Sequence, residues 1–121
     1  LMRGEIPDIG KDAPSVLQKL CLLMRTRLLR PKVIVEYDRV PYIYPQGNVR
    51  ITLDENIRSS SRVELFLEDQ IPTRPILPAG QHILEVKYDE YLPDFIYRAV
   101  QLQGLHRTAF SKYYLCRRYH L

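Results

Sequence analysis

The chain has 121 residues, 18 Lys and Arg against 14 Asp and Glu, a net charge of +4, and 45% hydrophobic residues. That is one domain's worth of sequence with enough apolar content for a core. No apolar run approaches the roughly 20 residues that span a bilayer, so no membrane segment is expected, and the mild basic excess permits a polyanionic partner without requiring one.

Residues 1–11 carry Gly4, Pro7 and Gly10 among mixed charges and are predicted to form an irregular leader. Leu1–Glu5 lacks the apolar stretch of a signal peptide, and Met2 behind Leu1 reads as part of a longer chain. A helix is predicted next, because Val16, Leu17, Leu20, Cys21, Met24 and Leu28 recur at helical spacing. Pro14 suits its first turn, Asp12 is placed to cap it, and Pro31 stops it. Arg25, Arg27 and Arg30 gather at its C-terminal end, where positive charge meets the negative end of the helix dipole.

Lys32–Tyr44 is predicted as a strand, with Val33, Val35, Tyr37 and Arg39 on one face and Ile34, Glu36, Asp38 and Val40 on the other. Pro45-Gln46-Gly47-Asn48 is a turn cluster. Val49–Ile57 follows as a second strand, with Val49, Ile51 and Leu53 opposed to Arg50, Thr52 and Asp54, which predicts a sheet with one apolar and one charged face. Ser59-Ser60-Ser61 is predicted as a loop and Val63, Leu65 and Leu67 as a short strand. Residues 71–80, with Pro72, Pro75, Pro78 and Gly80, are predicted as a stiff loop. Gln81–Tyr88 is another strand, setting Ile83, Glu85 and Lys87 against Leu84, Val86 and Tyr88.

Two helices are predicted to close the chain. One opens at Leu92-Pro93-Asp94 and runs to about Gln103 before Gly104; the other covers Arg107–Tyr119, with Thr108 or Ser111 near its start. Helix, strands, helices make an α+β domain built on an antiparallel sheet. Cys21 and Cys116 lie among apolar neighbours without metal-ligand spacing, so they are expected to be reduced and partly buried in a cytoplasmic protein. His82, His106 and His120 likewise lack a mutual spacing suited to a metal.

The polar strand positions Tyr37, Arg39, Arg50, Asp54, Glu85 and Lys87 carry the chemistry. Arg39 and Arg50 fall on strands joined by a short turn, so their guanidinium groups are predicted to converge, and the planar fork of Arg matches pairs of phosphate oxygens. Glu85 offers a carboxylate for a hard cation beside the ammonium of Lys87. With 5 glycines and neither a Walker loop nor a kinase signature, anion binding falls to side chains. The same residues also suit an ordinary solvated sheet face, and the pattern alone leaves both readings open.

The segments Val35-Glu36-Tyr37-Asp38-Arg39, Gly47–Asp54, Ile83–Tyr88 and Arg107–Tyr113 together resemble the C-terminal half of the VTC domain, the catalytic domain of the vacuolar transporter chaperone polyphosphate polymerases and their bacterial relatives, within the CYTH-like triphosphate tunnel metalloenzymes. The resemblance implies an antiparallel β-tunnel, here a partial one with flanking helices: leader and helix over 1–31, tunnel strands over 32–91 and C-terminal helices over 92–121. It implies transfer of the terminal phosphate of ATP to polyphosphate with Mn2+ or Mg2+ as cofactor. Carried over by position, Arg39, Arg50 and Lys112 are the catalytic cations. Tyr37, Arg39, Arg50, Lys87, Ser111 and Lys112 are the substrate contacts, and Glu85 is the metal ligand.

Two departures stand out. Ala109 occupies a position where polymerising relatives often carry a basic residue, and the basic opening strands of the family's N-terminal half are not found. Within the same fold, a triphosphatase or cyclase would use water or a ribose hydroxyl as acceptor, and a non-catalytic polyphosphate-binding regulator would keep the face without the transfer. A nucleic-acid-binding module is not expected, because no aromatic RNA-binding strand motif is present and Glu85 would repel a phosphate backbone unless a metal intervened.

Overall fold

The computed structural model describes residues 1–102, 104–105 and 107–119, and its architecture is organised by one long strand. That strand, β2 (Val49–Ser60), pairs antiparallel along one flank with β1 (Ile34–Tyr44). Along its other flank it pairs with two shorter partners, β4 (Ile83–Lys87) opposite Arg50–Asp54 and β3 (Arg74–Pro75) opposite Arg58 and Ser59. Helix α1 (Ser15–Thr26) precedes the sheet; α2 (Asp94–Val100) and α3 (Lys112–Arg118) follow it. The domain is therefore mixed α+β with an antiparallel sheet, as the periodicity predicts.

The sheet is open. The described strands do not close into the tunnel that the resemblance implies. Both short strands occupy the same flank of β2, and β1 pairs only with β2. Closure requires partners at both outer edges, which these four strands do not provide.

Several boundaries differ from expectation for physical reasons. Ser59 and Ser60 are strand, not loop, because β1 pairs with both and β3 also pairs with Ser59; pairing overrides the weak strand preference of serine. Part of the proline-rich loop thereby becomes β3. Val63–Leu65 forms a 3-10 turn instead of a strand. Helix α1 begins at Ser15 without a side-chain cap from Asp12; instead Gln18 donates from Nε2 to the carbonyls of Lys11 and Ala13 at 2.9 and 2.7 Å. It ends at Thr26, before Leu28 turns left-handed at φ 52°, and Arg30 Nη1 donates to the free Met24 carbonyl at 2.9 Å. Helix α2 stops at Val100; Gln103, His106 and His120 lie outside the described residues. Helix α3 starts only at Lys112, where Ser111 caps it by accepting from the Tyr114 N–H at 3.2 Å.

The largest departure concerns the core. Alternation in β2 predicts that the face of Val49, Ile51 and Leu53 packs inward. Val49 is buried and Ile51 and Leu53 are half-buried on that face, but the cluster of Ile57, Ile76 and Cys116 lies on the other, packed against Val35 and Tyr37, which share a face with Arg39. A bulge explains it. Pairing runs Glu36 with Arg58 and then Asp38 with Glu55, so Asn56 and Ile57 together oppose Tyr37. Asn56 takes the left-handed conformation at φ 49°, which Asn tolerates better than most residues. The extra residue moves Ile57 and Ser59 onto the face that Arg50, Thr52 and Asp54 occupy upstream. One face of the sheet is thus charged at one end and apolar under α3 at the other.

The segment after β4 folds over the β1–β2 turn. Asp89 N–H donates to the Gly47 carbonyl at 3.1 Å, and Tyr44 meets Phe95 of α2 edge-on with ring centroids 5.3 Å apart. Gly47 is left-handed at φ 75°, and a Cβ there would overlap the Tyr91 carbonyl oxygen. Gly80 is also left-handed, at φ 78°, but has open space. Gly80→Ala should therefore cost about 1–2 kcal/mol from backbone strain alone. Gly47→Ala should cost clearly more, because backbone must also move. Urea denaturation of the two variants measures the difference, and equal losses would contradict the close approach at Gly47.

Candidate anion-binding site

Register sets the geometry of the charged face. Residues directly opposite on antiparallel strands project from the same side of the sheet. Arg50 lies between Ile43 and Lys87, Thr52 between Pro41 and Glu85, and Asp54 between Arg39 and Ile83. The face therefore carries three rows, each about 7 Å from the next at roughly 3.4 Å per residue. Arg50 and Lys87 form the first, Glu85 occupies the second, and Arg39 with Asp54 forms the third. Arg39, Arg50, Glu85 and Lys87 share this face, as their polar alternation predicts.

The third row is a tight ionic cluster. Asp54 is fully buried, at 0% exposure. Its carboxylate accepts from Arg39 at both oxygens, from Nε at 2.6 Å and Nη2 at 2.8 Å. Lys112, from the first turn of α3, places its ammonium 2.6 Å from the second oxygen. The Tyr37 ring packs beside both cations, with the Arg39 guanidinium carbon 5.0 Å and Lys112 Nζ 5.2 Å from its centroid. The Arg39 side chain remains 37% exposed and that of Lys112 18%. Of the five N–H groups of Arg39 three are left over, and of the three on Lys112 two, so the cluster retains donors for an anion.

These bonds shift the ionisation of their members. The hydrogen bonds from Arg39, reinforced by Lys112, hold the Asp54 carboxyl below the usual carboxylate range, against the opposing effect of its burial. Asp54 in turn raises the Arg39 guanidinium further above its already high value. One turn further along the same face of α3, where it packs against Ile57, burial pushes the Cys116 thiol up.

The remaining site residues are less constrained. Arg50 reaches Asp89 through Nη2 at 3.3 Å, and Lys87 Nζ lies 3.2 Å from Glu85 Oε1; all four side chains are substantially exposed. The oxygen of Ser111 is engaged by the Tyr114 N–H as the α3 cap, which leaves its O–H hydrogen as a donor. The structure corrects the predicted convergence of Arg39 and Arg50. Four residues along β2 separate Asp54, opposite Arg39, from Arg50, about 14 Å at roughly 3.4 Å per residue. Each is held by a different carboxylate, Arg39 by Asp54 and Arg50 by Asp89. Lys112, not Arg50, is the cation that meets Arg39.

The sequence puts Asp54 among the polar strand residues of this face but gives it no binding, catalytic or metal role. Its signal was present, since Asp54 has the parity of Arg50 and a short turn brings it opposite Arg39. Asp89, just beyond β4, had no such signal. Among the described residues no group of three or more His, Cys, Asp and Glu side chains is placed to hold a metal ion. Glu85 is a single carboxylate, and that donor set fits a hard cation shared with phosphate oxygens and waters, not a cage made by protein alone. Among the described residues, no helix is long and apolar enough to cross a membrane.

The fold and the ordered charges on one sheet face define a mixed α+β domain whose ionisable side chains are collected on an open antiparallel sheet. The VTC domain family profile matches residues 2–120, and the chain belongs to that family. A search of curated proteins and a search of solved structures found no match.

The Asp54 cluster makes a specific demand on pH. The folded-state pKa of Asp54 lies below its unfolded value of about 3.9, so the unfolded chain binds more protons in the interval between them. Its contribution to stability is complete above that interval and is lost as pH falls through it. Wild type should exceed Asp54→Asn in melting temperature by a constant margin above about pH 5, and the margin should shrink below about pH 4. Thermal melts of both proteins across this range check the expectation.

Proposed function

We propose that this domain binds an extended chain of phosphates along the three rows of its charged face, and that it serves phosphate transfer from ATP to polyphosphate in a cytoplasmic setting. The observation that carries the reading is the placement of Arg39, Arg50, Lys87 and Lys112 on one face at spaced positions. A compact anion would meet one row; a linear one can meet several. Family membership supports the polyphosphate assignment.

Within this reading, Arg39 and Lys112 hold one phosphate through their free donors, and Tyr37 supports both cations. Arg50 and Lys87 take a phosphate farther along, which requires Arg50 to release Asp89. Glu85, between them, is the residue that would hold Mn2+ or Mg2+ together with phosphate oxygens. When bound, such a cation supplies charge neutralisation for the transferring group. Ser111 adds its O–H near Lys112. A second reading, phosphate binding without transfer, is favoured by the open sheet and by Ala109.

Calorimetry with tripolyphosphate separates a defined site from a diffuse basic surface. Arg39→Ala, Arg50→Ala and Lys112→Ala should each weaken binding by about ten- to a hundredfold, as expected when a charge-assisted contact is lost. Arg39→Lys should recover only part of the loss, because an ammonium cannot grip two oxygens in one plane. Binding should weaken with salt. Arg118→Ala, on the exposed side of α3, should change little, and a loss matching Arg39→Ala would refute the site. Glu85→Gln should reduce metal-dependent polyphosphate synthesis more than tripolyphosphate affinity, since the cation acts mainly on charge developing in the transition state. If wild type binds tripolyphosphate but makes no polyphosphate from ATP, the binding-only reading stands.

A further inference from the structure

We propose that Asp54 is the positioning residue of the anion site, a carboxylate that presets Arg39 and Lys112 before any ligand arrives. The inference rests on the phosphate-binding reading for its consequence but not for its geometry. Asp54 cannot itself be a ligand contact, because it is fully buried beneath the two cations. It engages Arg39 in a bidentate pair, which fixes the guanidinium plane as well as its position. It also ties Lys112, and with it the start of α3, to the middle of β2. Long cationic side chains lose considerable freedom when they bind an anion, and a site that has already ordered them loses less on binding.

An alternative role for Asp54 predicts the opposite sign. If the carboxylate only neutralised the face, removing its negative charge would leave Arg39 and Lys112 more attractive to an anion, and affinity would rise. If it positions them, affinity falls although the face has become more positive. Coulomb attraction and preorganisation therefore pull the same substitution in opposite directions.

The test uses the intact protein in two arms. Hydrogen exchange at the Arg39 Nε–H, followed by NMR without ligand, reports the positioning alone. In wild type it should be at least tenfold slower than at the exposed Arg118, and Asp54→Asn should abolish that protection. Equal exchange at Arg39 and Arg118 in wild type, or protection that survives Asp54→Asn, would overturn the proposal. The wild-type comparison decides this even if the variant does not fold; the double variant Asp54→Asn/Lys112→Met, which also removes one of the paired cations, then carries the second comparison. In the other arm, tripolyphosphate affinity measured by calorimetry should fall about tenfold in Asp54→Asn. Unchanged or increased affinity would overturn the positioning role. If wild type binds no tripolyphosphate, the phosphate reading fails by itself, and the exchange data still decide whether Asp54 orders its two cations.

Discussion

A buried carboxylate needs partners, and that requirement organises this domain. Asp54 has no access to water, so its charge is sustained only by hydrogen-bonded cations. One comes from the neighbouring strand and the other from a helix nearly sixty residues downstream. Satisfying Asp54 therefore brings together β1, β2 and α3. The docking of α3 that follows also covers the apolar end of the same face, where Cys116 meets Ile57 and Ile76. Ionic cluster and hydrophobic core are adjacent parts of one interface. The polar part specifies where the helix starts on the sheet, and the apolar part supplies the area buried beneath it.

The two ends of the charged face differ in character. Around Asp54 the side chains are locked by short bonds and by the Tyr37 ring. Around Arg50 and Lys87 the ion pairs are longer and exposed, and pairs of that kind contribute little to stability. One end is thus a fixed anchor and the other an adaptable set of charges. A long polymeric anion suits that arrangement, since it can be gripped at one unit while the remainder slides or exchanges partners.

Much of this was legible in the sequence. Strand periodicity located β1, β2 and β4 within a few residues and put Arg39, Arg50, Glu85 and Lys87 on a common face. What periodicity could not supply was the break in its own rule. Ile57 reads as the partner of Val49, Ile51 and Leu53, yet lies on the opposite side, because Asn56 adds a residue that no alternation pattern announces. Cross-chain distance was likewise invisible: Arg39 and Arg50 are 11 positions apart across a turn, but register carries them to different rows. The partnership of Lys112 with Asp54 depends on tertiary docking, so it emerged only with the helix in place.

The bulge at Asn56 and Ile57 also constrains how this domain can change over evolutionary time. Connections such as residues 61–73 can lengthen or shorten with little consequence, because they do not alter which way any strand residue faces. The stretch from Asp54 to Ile57 has no such latitude. Losing one residue there would restore strict alternation, turn Ile57 and Ser59 to the far side of the sheet, and leave α3 without its apolar seat while Asp54 still faced it. Gaining one would do comparable damage. Among descendants of this chain, length variation should be common in the loops and absent from those four positions, even where the identities of the residues drift.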